Sequence, residues 1–195
     1  MEIVRKTIEN DLEYLRKVSK EVDLSNDEYK KKLDVLRQFC SETACFALAA
    51  VQVGIPERMI YLKNTSVDAK IEDMDHDEAR ILINPVITER TGETEYWEAC
   101  LSCLDFTGLV RRPYKMKVEY YDENGEKHNE IFEGFEATVL SHEYDHLNGI
   151  LHMDIAKEIL EMTQEERKVF RETHHYEVLR TDGEYDPPKV KKLKK

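Results

Sequence analysis

The chain has 195 residues, with 29 Lys plus Arg against 41 Asp plus Glu and a formal net charge of −12. That length suits one domain with a proper core, and the acidic balance excludes nucleic acid as the main ligand, because phosphate binding needs basic surface. No apolar run approaches the roughly 20 residues of a membrane span, and Met1-Glu2-Ile3-Val4-Arg5-Lys6 has neither the apolar core of a secretory signal nor the Arg- and Ser-rich character of a transit peptide. A cytoplasmic protein is expected. In that reducing setting Cys40, Cys45, Cys100 and Cys103 are core residues, metal ligands or redox groups rather than a disulfide framework.

In chain order, Ser25-Asn26-Asp27-Glu28 reads as a capping box with Ser25 as the cap. Tyr29, Leu33, Leu36 and Cys40 follow at helical spacing, so a helix is predicted from about Asp27 into the low forties. Phe46 to Gly54 is apolar but for Gln52, and Pro56 ends it. Arg58 to Lys63 is a predicted strand, and 65–78 a polar, acidic loop. Ile81 to Ile87 reads as a buried strand broken at Asn84-Pro85, and Thr94 to Trp97 leads into Cys100. Met116 to Tyr121 and His128 to Phe132 flank the hairpin turn Asn124-Gly125.

Gly134 opens a helix through Ala137-Thr138-Val139-Leu140 that stops at Asn148-Gly149. It carries His142-Glu143-Tyr144-Asp145-His146. Two histidines four residues apart share one helical face, and Glu143 can reach a metal-bound water without ligating the metal. A last amphipathic helix is predicted from about Ile155 to Arg171, with Ile155, Ile159, Leu160, Met162 and Phe170 inward, and disorder after about Thr181. The expected organisation is one domain over 1–180 and a basic, flexible tail over 181–195, of α+β class. Two histidines leave a metal site incomplete. The third ligand could be Cys100 upstream or a carboxylate downstream from Glu161, Glu165 or Glu166, and metal-ligand chemistry accepts both.

Three segments in order, Ala47 to Gly54, Glu98-Ala99-Cys100-Leu101-Ser102 and His142 to Gly149, resemble the three signature motifs of the peptide deformylase family. Ile83-Asn84-Pro85, Gly92-Glu93, Arg112 and Met153-Asp154 also match, and the resemblance covers about residues 1–160. It implies a deformylase-like fold, mostly antiparallel strands around a central HExxH helix with N- and C-terminal helices. It also implies a metal held by Cys100, His142 and His146, with water in the fourth position. Ferrous iron is the expected ion, with zinc, nickel or cobalt also accommodated. Glu143 would move the water proton to the leaving amine, while the Gln52 side-chain amide and the Leu101 backbone N–H stabilise the oxyanion.

The implied substrate is an N-formylmethionyl peptide on a nascent chain, released as formate and a free N-terminal methionine. The ribosome would be a neighbour and the protein a monomer, in a bacterial cytosol or an organelle. Phe46, Phe135, Thr138 and Val139 match positions that shape the methionine pocket, and the substrate backbone would pair along the segments containing Ala47 and Ala99. Trp97 stands where the family has a cleft-rim residue, and Glu98 and Arg112 would form a salt bridge beneath the cysteine loop.

The chain departs from the family at Cys45, Ala47 and Ala99, where glycines are usual, at Val51 in place of proline, and at Cys103-Leu104 in place of a small apolar residue and proline. An added methyl narrows a cleft or restricts backbone. These losses motivate an alternative, a divergent metal- or peptide-binding protein with lost or altered activity. A zinc endopeptidase using Glu165 or Glu166 is a further one. Cys103 could pair with Cys100 in a redox or closed zinc arrangement, or serve as a buried small apolar residue, which is the expectation.

Overall fold

The computed structural model describes residues 4–43, 45–63 and 79–192; the loop expected over 65–78 lies outside them. Eight strands among the described residues form one sheet: β1 (Ala47–Ala49), β2 (Met59–Leu62), β3 (Arg80–Ala99), β4 (Phe106–Arg112), β5 (Lys115–Tyr121), β6 (Lys127–Glu133), β7 (Glu158–Glu161) and β8 (Glu177–Glu184). All the pairings are antiparallel. Four α-helices accompany them, α1 (Leu12–Leu15), α2 (Glu28–Thr43), α3 (Gly134–Leu147) and α4 (Gln164–Phe170). None is long and apolar enough to cross a membrane.

β2 shows why the runs at 59–62 and 81–83 are apolar throughout rather than alternating. Met59 and Tyr61 turn toward α2, with Leu33, Leu36, Phe39 and Cys40. Ile60 and Leu62 turn toward α3, with Leu140 and Leu147. Both faces of the strand are covered, so neither position can be polar. Each fully buried leucine here, such as Leu36 or Leu140, stabilises the fold by about 2 kcal/mol.

Four expectations need correction. The cap of α2 comes from Asn26, whose Oδ1 accepts from Glu28 N at 3.0 Å, while Ser25 N is bound to Asp23. Asn84-Pro85 does not break its strand: β3 runs 20 residues through a bulge there. Asn84 takes φ 51 and clasps both backbone groups of Val22, at 2.8 and 3.0 Å. Asn tolerates that left-handed conformation, and Pro lacks only an N–H that the bulge leaves unused.

The helix predicted over 155–171 is instead a strand and a short helix. Residues 158–161 are drawn onto the open edge of β4, with Leu109↔Glu158 to Phe106↔Glu161 in register, and edge pairing outweighs helical periodicity. Gly108 makes the approach possible, because a Cβ there would lie 2.9 Å from Ala156 Cβ. α4 begins only after Thr163, which forms a capping box with Glu166, and no α4 residue is buried. Nor does order end at Thr181. β8 continues to Glu184 along β3, and Tyr185 Oη donates to Arg111 O at 3.0 Å.

Candidate metal centre

α3 positions the two histidines. Its C-terminus closes through Gly149, at φ 67, with Gly149 N bound to His146 O and Ile150 N bound to Asp145 O. Almost every face of the helix is covered, and His142, Glu143 and His146 are all buried. β3 delivers Cys100 immediately past its end, on a turn closed by Cys103 N to Cys100 O at 3.0 Å. The N-terminal segment ties the turns of the first two motifs together, with Lys6 N bonded to Gln52 O and Ile8 N to Ser102 O.

Among the described residues, Cys100, His142 and His146 offer ligand atoms that all lie within 4.8 Å of one another. Cys100 Sγ is 3.2 Å from His146 Nε2. The carboxylates considered from sequence are elsewhere: Glu166 is bound to the backbone of Thr163, and neither it nor Glu161 or Glu165 joins this cluster. Hydrogen bonds from Cys103 first, and then the field and hydrogen bonds of His146 and His142, hold the Cys100 thiol well below its ordinary range. Cys103 is fully buried beside it and outside the ligand set.

Behind the histidines lies a charged support. His142 Nδ1 is 2.8 Å from Glu98 Oε2, and Arg112 grips the same carboxylate through Nε at 2.7 Å and Nη2 at 2.9 Å. Burial alone would raise the Glu98 pKa, but the Arg112 guanidinium and these hydrogen bonds hold it well below the carboxylate range. An ionised carboxylate only accepts, so the His142 proton sits on Nδ1 and leaves the Nε2 lone pair for a cation. Asp145 turns away from the ligands and accepts from Arg112 Nη1 at 2.5 Å, a structural role. Glu98 and Arg112 form the salt bridge expected beneath the cysteine loop.

Gln52 is fixed at both ends of its amide. Its Oε1 accepts from Ala49 N at 3.0 Å, so Nε2 faces the site, 3.0 Å from Ser102 Oγ and 3.5 Å from Cys100 Sγ. Leu101 lies between Cys100 and Ser102 on the same turn. Glu143 is buried with Oε2 lacking a hydrogen-bond partner among the described residues, and burial pushes its carboxyl above the ordinary range against the opposing pull of His142 and His146.

Phe46, Phe135 and Val139 are partly buried and Thr138 is buried. Ala47 lies in β1 and Ala99 ends β3. Among the described residues only Asn84 and Leu104 combine a side chain with positive φ, so Cys45, Ala47 and Ala99 carry no left-handed strain where glycines are usual.

Trp97 is buried under the C-terminal segment, edge-on to Phe170 at 5.1 Å, and does not form a cleft rim. Its neighbour Tyr96, on the opposite face of β3, meets Phe135 at 5.3 Å. Tyr96 and His152 have no role assigned by the sequence, and Ser102 enters there only as part of the second motif. The alternation of Thr94, Tyr96 and Glu98 along a strand facing α3 is the signal that finds Tyr96. No local pattern marks His152, whose ring stacks on His142 at 5.6 Å.

A sequence model of the polypeptide deformylase family matches residues 4–161. The peptide deformylase of Pelagibacter ubique (strain HTCC1062) is 36% identical over 141 residues, covering 72% of this chain and 78% of that protein. Among solved structures, a probable peptide deformylase from Synechococcus phage S-SSM7 superposes with a TM-score of 0.68 at 32% identity, over 78% of this chain and 99% of that one. A class I type b peptide deformylase from Acinetobacter baumannii, crystallised with Met-Ala-Ser bound, gives 0.68 at 29% identity over 78% and 97%.

Proposed function

This chain belongs to the peptide deformylase family, and we propose that it removes the formyl group from N-formylmethionyl peptides as formate, using a divalent metal held by Cys100, His142 and His146. The observation that carries the assignment of residues is the convergence of one sulfur and two imidazoles within 4.8 Å, beside a buried carboxylate with a free oxygen. The donor set fits a metal on three counts. A thiolate and two neutral imidazoles suit a borderline-soft divalent ion. Glu98 directs the His142 lone pair inward. His146 Nε2 lies 3.2 Å from Cys100 Sγ, which brings the second imidazole into the same cluster.

When bound, such an ion supplies a Lewis acid and lowers the pKa of water. The chain's residues do the rest. Glu143, in a dry setting that raises its proton affinity, accepts a proton from the attacking water at its free Oε2 and returns it to the departing amine. Gln52 Nε2 and the Leu101 N–H are the donors for the developing oxyanion, and the contact of Gln52 Oε1 with Ala49 keeps the amide from turning its oxygen inward.

Phe46, Phe135, Thr138 and Val139 surround the methionine side chain, and the segments of Ala47 and Ala99 pair with the peptide backbone. That a relative holds Met-Ala-Ser supports this substrate class. Ferrous iron is the resident ion in this reading, the protein acts as a monomer in the cytoplasm, and nascent chains at the ribosome are its substrates. The absence of strain at Ala47 and Ala99 supports activity over its loss.

The test is formate release from formyl-Met-Ala-Ser by the chain loaded anaerobically with ferrous iron. Glu143→Gln should lower turnover by about 100- to 10,000-fold while keeping one metal ion per chain. Loss of metal with activity, or cleavage of internal peptide bonds after Cys100→Ala, would overturn the assignment.

A further inference from the structure

The family match ends at residue 161, yet the chain folds back over β3 and clasps both of its faces. On one face Phe170 and His174 cover Trp97, with ring centroids 5.1 and 6.3 Å away. On the other, Tyr176 meets Phe135 at 5.5 Å and 85°, and Tyr96 at 6.0 Å and 65°. Tyr96 and Phe135 are themselves edge to face at 5.3 Å. All three rings are partly exposed rather than sealed in the core. The Tyr176 hydroxyl is buried beside Thr94 and Thr138, whose own hydroxyls lie 3.2 Å apart.

We propose that Tyr176 forms a wall of the methionine side-chain pocket and limits its depth, so that the segment beyond the family match sets which first side chain is accepted. This rests on the reading that Phe135, Thr138 and Val139 surround that side chain. Tyr176 touches both β3, through Tyr96, and α3, the helix that carries Phe135, Thr138 and Val139, through Phe135. Three edge-to-face rings suit a thioether, because a polarisable sulfur is attracted to aromatic rings, often at their edges. The wall is held firmly. β8 pairs with β3 immediately after Tyr176, starting at Glu177↔Glu95, and Arg171 Nη2 donates to Trp97 O at 3.3 Å just before it.

The test compares kcat/KM for formyl-Met-Ala-Ser and formyl-Phe-Ala-Ser in the metal-loaded full chain. Tyr176→Ala should shift the ratio toward the larger side chain by about tenfold or more, and Tyr176→Phe should restore it. Affinity for the product Met-Ala-Ser, measured by calorimetry, should fall in Tyr176→Ala relative to Phe-Ala-Ser. An unchanged ratio in a folded Tyr176→Ala chain overturns the proposal alone. Should that variant not fold, Tyr176→Leu is read by the same criterion. Failure of the unaltered chain to release formate from formyl-Met-Ala-Ser overturns the underlying reading, and this proposal with it.

Discussion

Glu98 Oε2 lies 2.8 Å from His142 Nδ1, linking the strand that delivers the sulfur to the helix that delivers the imidazoles. The contact selects the ring tautomer and aims Nε2 at the ligand cluster. Glu98→Gln keeps an acceptor of similar size but removes the charge, so metal affinity should fall about 10- to 100-fold. Competition with a chelator of known affinity measures this, and an unchanged affinity would show that the carboxylate does not tune the ligand.

Arg112 is buried between Glu98 and Asp145 and pairs with both. Arg112→Met removes the cation and leaves two carboxylates facing each other across the space. The fold should lose about 3–5 kcal/mol, read as a lower urea midpoint at neutral pH. A loss of under about 1 kcal/mol would mean that the pair behaves as if exposed.

His152 is buried, and burial pushes its pKa from 6.5 down to about 4. The folded chain keeps the ring neutral while the unfolded chain takes up a proton below pH 6.5. Its contribution is therefore complete above that pH and is lost as the pH falls toward the folded value, amounting to about 3 kcal/mol. His152→Phe should flatten the fall in stability between about pH 7 and pH 4.5 measured by urea unfolding. Identical pH profiles for the two chains would refute the assignment of acid sensitivity to this ring.

Leu104 adopts φ 56 on the turn after the cysteine, and Arg167 of α4 holds its carbonyl at 3.3 Å. Proline is usual here in the family this chain resembles, yet its ring fixes φ near −65°. Leu104→Pro should therefore destabilise the chain by about 3 kcal/mol despite restoring the common residue, with a lowered thermal midpoint as the readout. A raised midpoint would mean that the turn can rearrange at no cost.

Much of the site was visible in the residues. The order of three motifs located Cys100, Gln52 and the HExxH helix, and alternation around Asn124-Gly125 located the β5–β6 hairpin, whose Gly125 N bonds Asp122 O at 3.0 Å. Local spacing misleads where a distant strand edge is the partner. Ile159 and Leu160 fit a helix by spacing, but the unpaired edge of β4 claims them. Nothing beside Trp97 in the chain signals that Phe170 and His174, more than 70 residues on, cover it.

Helical spacing alone puts His142 and His146 on one face, since a 3.6-residue period is a local property of the backbone and needs no partner. The same holds for the stop at Gly149, whose positive φ is a matter of one residue's own sterics. That a sulfur 46 positions before His146 joins them, that Glu98 orients one ring and that Tyr176 closes on Phe135 depend on how β3, α3 and the segment leading into β8 pack together. Such contacts come from the pairing of remote segments. Their free energy is shared over the whole sheet, so no window of neighbouring residues encodes them.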